Sequence, residues 1–135
     1  IFFRLQPKMS RFATAIFFLG LAIAMGHYGN PFKGGCESDE RPVQVQGIPG
    51  AMCTPPCSGG TCPSDVPANC SATPQCALKD TQGHQYCCLI CDPSAKSCPM
   101  GASCKPLPNG FGLCTYNEGQ FLNATNVAVL PGVKL

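Results

Sequence analysis

Twelve cysteines lie between Cys36 and Cys114 of a 135-residue chain. An even, dense set of this kind, routed to an oxidising compartment, reads as a disulfide framework of up to six bridges. The set is Cys36, Cys53, Cys57, Cys62, Cys70, Cys76, Cys87, Cys88, Cys91, Cys98, Cys104 and Cys114. The bridges are needed because core material is scarce. From Cys53 to Tyr116 the large apolar side chains are Val66, Leu78, Tyr86, Leu89, Ile90, Met100, Leu107, Phe111, Leu113 and Tyr116. Such a core does not offset the ordering entropy of the chain unaided, and cross-links act by constraining the unfolded state.

The route to that compartment is written in front of the cysteines. Arg11 precedes the apolar run Phe12–Ala24, and Ala22-Ile23-Ala24 offers a small-x-small cleavage site. That is the layout of a secretory signal peptide. Gly26-His27-Tyr28-Gly29-Asn30-Pro31 stops the run short of the roughly 20 apolar residues a membrane span needs. Residues 1–24 are therefore read as a signal peptide, with residues 1–8 as an upstream extension, and no stable membrane span is expected after cleavage. Arg4, Lys8 and Arg11 belong to this leader. From Met25 onward six basic side chains face seven acidic ones, so no electrostatic case exists for nucleic acid.

Residues 25–35 are Gly-rich and without periodicity, which reads as a linker or loose arm. Val43-Gln44-Val45-Gln46 alternates as a short half-buried strand does. Residues 53–71 are too rich in Pro and Gly for a regular element and read as a loop belt pinned by cysteines. Two hairpins of similar layout follow. Gln75–Lys79 and His84–Cys87 flank Asp80-Thr81-Gln82-Gly83, and Ser103–Leu107 and Gly112–Tyr116 flank Pro108-Asn109-Gly110-Phe111. Each has a Cys-Pro upstream, Cys62-Pro63 and Cys98-Pro99, which marks a weak internal repeat. Asp92–Lys96 suits one helical turn with Asp92 as N-cap. On a strand, successive side chains face opposite ways, so Cys87 and Cys88 should bridge to different partners. Residues 117–135 read as a disordered tail, although Phe121, Leu122, Val127, Val129 and Leu130 can supply one more strand. The fold class is thus small and disulfide-rich, with short β-hairpins, irregular loops and little helix, over a cysteine-rich domain at 36–116.

Candidate chemistry is thin. Cys57-x4-Cys62 and Cys88-x2-Cys91 fall within loose zinc spacings, but thiols in a secreted chain oxidise, so neither a metal nor another cofactor is expected. His84 and Asp80 can orient a general base across the first turn, yet they need a nucleophile and a pocket. No catalytic residue is assigned, and the chain is read as a non-enzyme. Asn69-Cys70-Ser71 and Asn123-Ala124-Thr125 are glycosylation sequons. Tyr86, Phe111 and Tyr116 could anchor a partner, although burial of at least two is the plainer expectation.

The stretches CESDERPVQVQGIPGAMC, CPSDVPANCSATPQCALKD, GHQYCCLIC and CPMGASCKPLPNGFGLCTY together resemble small secreted cysteine-rich proteins of microalgae and other protists. The likeness covers about 80 of the 135 residues, outside leader and tail. That group is functionally uncharacterised, so the resemblance implies secretion and disulfides and carries over no activity. It also implies that Cys70 and Cys88 form an added pair. A looser similarity, in Cys62-Pro63, Cys70, Cys76, Cys87-Cys88 and Cys91, is to the WAP or four-disulfide-core inhibitors. There the ten-residue gap from Cys76 to Cys87 departs from the family spacing. The reading is a secreted, extracellular binding or structural protein whose partner is an unidentified protein or glycan. The alternative is a protease inhibitor or defence-type effector, with Pro63–Asn69 and Lys105–Leu113 as candidate loops.

Overall fold

A computed structural model describes residues 26–95, 97–117 and 124–131. The leader and the Asn123 sequon lie outside these residues. The described chain contains no helix and forms seven strands: β1 Arg41–Val45, β2 Met52–Thr54, β3 Thr73–Asp80, β4 Gln85–Cys91, β5 Ala102–Pro106, β6 Gly112–Tyr116 and β7 Thr125–Val129. They make one sheet in the order β2-β1-β7-β3-β4-β6-β5. The fold is strand-based and disulfide-rich, as the composition and turn chemistry require.

Strand β4 explains the layout. Tyr86, Cys88 and Ile90 face a core that also holds Val43, Val45, Met52, Leu78, Leu113, Tyr116 and Val127. Cys87, Leu89 and Cys91 alternate with them and face a second cluster built with Tyr28, Ala72 and Cys114. Period-2 alternation therefore buries both faces of the strand, one under apolar side chains and the other largely under sulfur. The first core is closed by β2, whose neighbourhood curls back over the sheet. Ala51 and Tyr116 exchange both backbone hydrogen bonds, at 3.0 and 2.9 Å, and the Cys87 N–H donates to the Pro55 carbonyl at 2.9 Å. β2 and β5 are the end strands of the sheet, each paired with a single neighbour, β1 and β6 respectively.

Ten cysteines form five bridges: Cys36–Cys53, Cys57–Cys76, Cys62–Cys87, Cys91–Cys104 and Cys98–Cys114. The last four follow one rule used twice. In Cys57, Cys62, Cys76 and Cys87, and again in Cys91, Cys98, Cys104 and Cys114, the first joins the third and the second joins the fourth. The third and fourth of each quartet stand opposite one another on a hairpin, Cys76 across from Cys87 and Cys104 across from Cys114. The two turns also share a pattern. The Gly83 N–H donates to the Asp80 carbonyl and Asp80 N–H to His84; Gly110 donates to Leu107 and Leu107 to Phe111. Gly83 and Gly110 both take positive φ, 91° and 93°, which closes a tight turn without a Cβ penalty. The internal repeat is therefore structural.

Four expectations are corrected. Cys70 and Cys88 are free thiols, not a sixth bridge. Cys88 is sealed in the apolar core, where burial pushes its thiol up to about 12, while Cys70 packs beside the sulfur-rich cluster on the other side. The neighbours Cys87 and Cys88 do face opposite ways, but only Cys87 finds a partner. The tail supplies β7 at Thr125–Val129, parallel to β1 and antiparallel to β3, because Val127 completes the apolar core. Asp92–Ala95 is a hydrogen-bonded turn in place of a helical one; Asp92 Oδ1 accepts from the Ser94 N–H and hydroxyl, which satisfies the turn locally.

The fourth correction concerns residues 26–35, which pack instead of hanging free. Tyr28 is 2% exposed, in the second cluster. Its hydroxyl donates to the Pro63 carbonyl at 2.7 Å, and its own carbonyl accepts from the Tyr116 hydroxyl at 2.9 Å. Its N–H donates to Glu40 Oε2 at 2.6 Å, and the Glu37 N–H donates to Oε1. Burial raises the Glu40 pKa even though these donors oppose it. Beside it His27 lies between two carboxylates, with Nδ1 2.8 Å from Asp65 and Nε2 2.9 Å from Asp39. Only the imidazolium can donate to both.

Burial alone would lower the His27 pKa, but hydrogen bonds to Asp39 and Asp65 and their charge outweigh it and hold the value above 6.5. Burial likewise works against ionisation of Asp65, and His27 overcomes it, so that carboxyl titrates below its ordinary value. The clamp contributes fully below pH 6.5 on the histidine side and is lost as pH rises through the raised value. On the Asp65 side it is lost as pH falls through the lowered one. Denaturant unfolding of the oxidised protein should therefore show His27→Gln less stable than wild type at pH 5.5, with the gap closing at pH 9. A gap that stays constant across that range contradicts the clamp.

Candidate functional site

The first hairpin turn forms one wall of a polar cleft of about 340 Å³ lined by Arg41, Asp80, Thr81, Gln82, His84, Tyr86, Thr125 and Asn126. Three parts of the sheet converge there. Arg41 opens β1, Thr125 and Asn126 open β7, and the remainder come from the β3–β4 hairpin. The parallel pairing of β1 with β7, Val43 beside Thr125, sets those two strand starts next to each other.

Asp80 organises the turn. Its Oδ1 accepts from the Gln82 and His84 backbone N–H groups, both at 2.9 Å. Its Oδ2 accepts from the Tyr86 hydroxyl at 3.2 Å and faces His84 Nδ1 at 3.1 Å. Burial disfavours its charge, but the His84 and Gln82 N–H groups and the two side-chain donors more than compensate and lower its pKa. The adjacent Tyr86 is raised by burial first and by the Asp80 charge second, so it remains a phenol donor. A carboxylate acceptor places the imidazole proton on Nδ1, which leaves Nε2 of the neutral ring as an acceptor. The His84 side chain is 65% exposed, against 8% for Asp80.

Arg41 differs from the other charged groups of the cleft. It is exposed, and among the described residues it has no carboxylate within ion-pair distance and no side-chain hydrogen bond. Asp80 shares the cleft but already takes four donors. The sequence-level pairing of His84 with Asp80 is thus present, in a cleft that also holds Arg41. Among the described residues the side-chain hydrogen-bond partner of His84 is Asp80.

The other candidates separate. Tyr86 and Tyr116 are 5% and 4% exposed, while Phe111 is 39% exposed. The proposed zinc donors Cys57, Cys62 and Cys91 lie in bridges, and Cys88 is sealed in the core. Cys87 Sγ stands 3.8 Å from Cys57 Sγ, so two bridges stack against each other. Asn69 is exposed in a turn at φ 60°. Lys105 Nζ is held by Ser103 Oγ at 2.8 Å and Thr115 Oγ1 at 2.7 Å.

Sequence reasoning missed Arg41 and the His27 clamp. Arg41 enters the site only through the β1–β7 pairing, which no local pattern announces. His27 sits in a Gly-rich stretch, and the sole hint was two acidic residues, Asp39 and Asp65, 12 and 38 positions away. No family model, curated protein or solved structure matches this chain.

If Asp80 is the organiser, Asp80→Ala should lower the denaturant midpoint several-fold more than His84→Ala. The first strands two backbone donors and a buried tyrosine hydroxyl; the second trims an exposed ring. Equal effects would contradict that assignment.

Proposed function

We propose that this chain is a secreted, disulfide-stapled binding protein with an extracellular role, and that the Arg41–His84 cleft carries the ligand contact. The observation behind this reading is the Arg41 guanidinium, which forms no ion pair or side-chain hydrogen bond among the described residues, in a polar cleft whose backbone is fixed by the sheet. Five bridges suit an oxidising environment, in keeping with the leader and with the resemblance to secreted cysteine-rich proteins. No helix of the described residues is long and apolar enough to cross a membrane. The exposed Asn69, next to an unbridged Cys70, is open to glycosylation, so the glycoprotein reading rests first on that sequon.

The inhibitor alternative gains little support from the two loops. Lys105 is a strand residue paired with Leu113, and its ammonium is tied to Ser103 and Thr115. Pro63–Asn69 lacks a bridge at its Cys70 end, and its Asp65 is held by His27. An inhibitory loop must present its side chain preorganised and free.

Two measurements test the proposal. Protein recovered from the medium of an expressing cell should begin at or near Met25; retention in the cytosol, or a product still beginning at or before Met9, defeats the secretory reading. The refolded mature protein should give no nanomolar inhibition of trypsin-like proteases. Tight inhibition that weakens strongly in Lys105→Ala would replace the binding reading with the inhibitor one.

A further inference from the structure

We propose that the cleft between Arg41 and the β3–β4 turn binds the carboxylate of an acidic saccharide, such as a uronic acid unit. This rests on the binding reading above and specifies its ligand class. Asp80 is saturated by four donors, so among the described residues the cleft's remaining charge without an ion pair or side-chain hydrogen bond is the Arg41 guanidinium, whose planar fork matches a carboxylate bidentately. A single arginine beside a carboxylate suits a monoanion better than a phosphate dianion, which Asp80 would repel.

The rest of the lining selects the body of the ligand. Thr81, Gln82, Thr125 and Asn126 bring hydroxyl and amide groups that donate and accept, the complement of a sugar's hydroxyls. The one aromatic side chain, Tyr86, is 5% exposed, so its ring offers no anchor for an apolar peptide side chain. Strand addition by a peptide is closed as well. β7 is already flanked by β1 and β3, which leaves it no free backbone edge. At about 340 Å³ the cleft lies near the small end of ligand sites, which admits a short saccharide or the end of a longer one.

The test is a ¹⁵N–¹H correlation titration of the oxidised mature protein with three saccharides and one peptide. These are an oligogalacturonate, its methyl-esterified neutral counterpart, a sulfated neutral oligosaccharide and an oligoglutamate. The oligogalacturonate should move the backbone resonances of Arg41, Thr81, Gln82, His84 and Asn126. The neutral ester should bind at least tenfold more weakly. Arg41→Ala should weaken the oligogalacturonate at least tenfold, and Arg41→Lys should recover only part of the loss. Because Arg41 is exposed and forms no ion pair or side-chain hydrogen bond among the described residues, both variants should keep the wild-type spectrum elsewhere.

Binding that ignores Arg41→Ala, or equal binding of acid and ester, overturns the proposal. Tighter binding of the sulfated sugar or of oligoglutamate overturns the carboxylate or the saccharide assignment respectively. In any of these cases a ligand that shifts the cleft resonances leaves the binding reading intact. If none of the four probes moves them, the proposal is overturned and the cleft loses its standing as the binding site.

Discussion

Strand β4 passes through the sheet with both of its faces buried, and the rest of the molecule is arranged to meet that constraint. One face finds ordinary apolar partners contributed by β1, β2, β3, β6 and β7. The other has too few. It is covered by Tyr28, Ala72 and cysteines whose bridges tie the overlying loops to the strands. A domain this small rarely builds two cores from side chains alone. Disulfides substitute for the second one, acting both as compact buried groups and as restraints on the unfolded chain.

The doubled bridge rule follows from the same constraint. Each hairpin presents a cross-strand pair of cysteines on the face that lacks cover, and each pair reaches outward to two cysteines on preceding segments. The first quartet holds the Cys57–Cys62 loop and the second holds Cys98 beside the end of β4. The Cys36–Cys53 bridge stands apart and fixes the entry to β1 against β2. Near that entry the His27 clamp and the Tyr28 hydrogen bonds hold the first described residues against the body. The polar cleft inherits its rigidity from this frame, since its walls are the paired starts of β1 and β7 and a turn saturated by Asp80.

Local chemistry made much of this legible. Both hairpins, their glycine turns and the alternation at Val43–Val45 stand where the residue pattern puts them, and the Cys-Pro repeat marked two related units. The Asp80–His84 pairing was also local enough to read. What escaped was non-local. Val127 and Val129 gave a strand signal too short to stand against a tail's prior, and only the vacancy between β1 and β3 gives it a place. Gly26–Gly35 has no periodicity because its anchors are single side chains, His27 and Tyr28, meeting partners far along the chain. Cys88 looked like a bridge member by parity, whereas its strand position points it into apolar surroundings that Cys70 does not share.

The central claim is that one bridge rule, used twice, holds the sulfur-rich face of β4. Mass-spectrometric mapping of peptides from the unreduced protein, cleaved at acidic pH to suppress exchange, tests it most directly. It should recover Cys57–Cys76, Cys62–Cys87, Cys91–Cys104 and Cys98–Cys114 alongside Cys36–Cys53, with Cys70 and Cys88 as the two alkylatable thiols. Cross-strand bridges Cys76–Cys87 or Cys104–Cys114, or any bridge containing Cys88, would contradict the account.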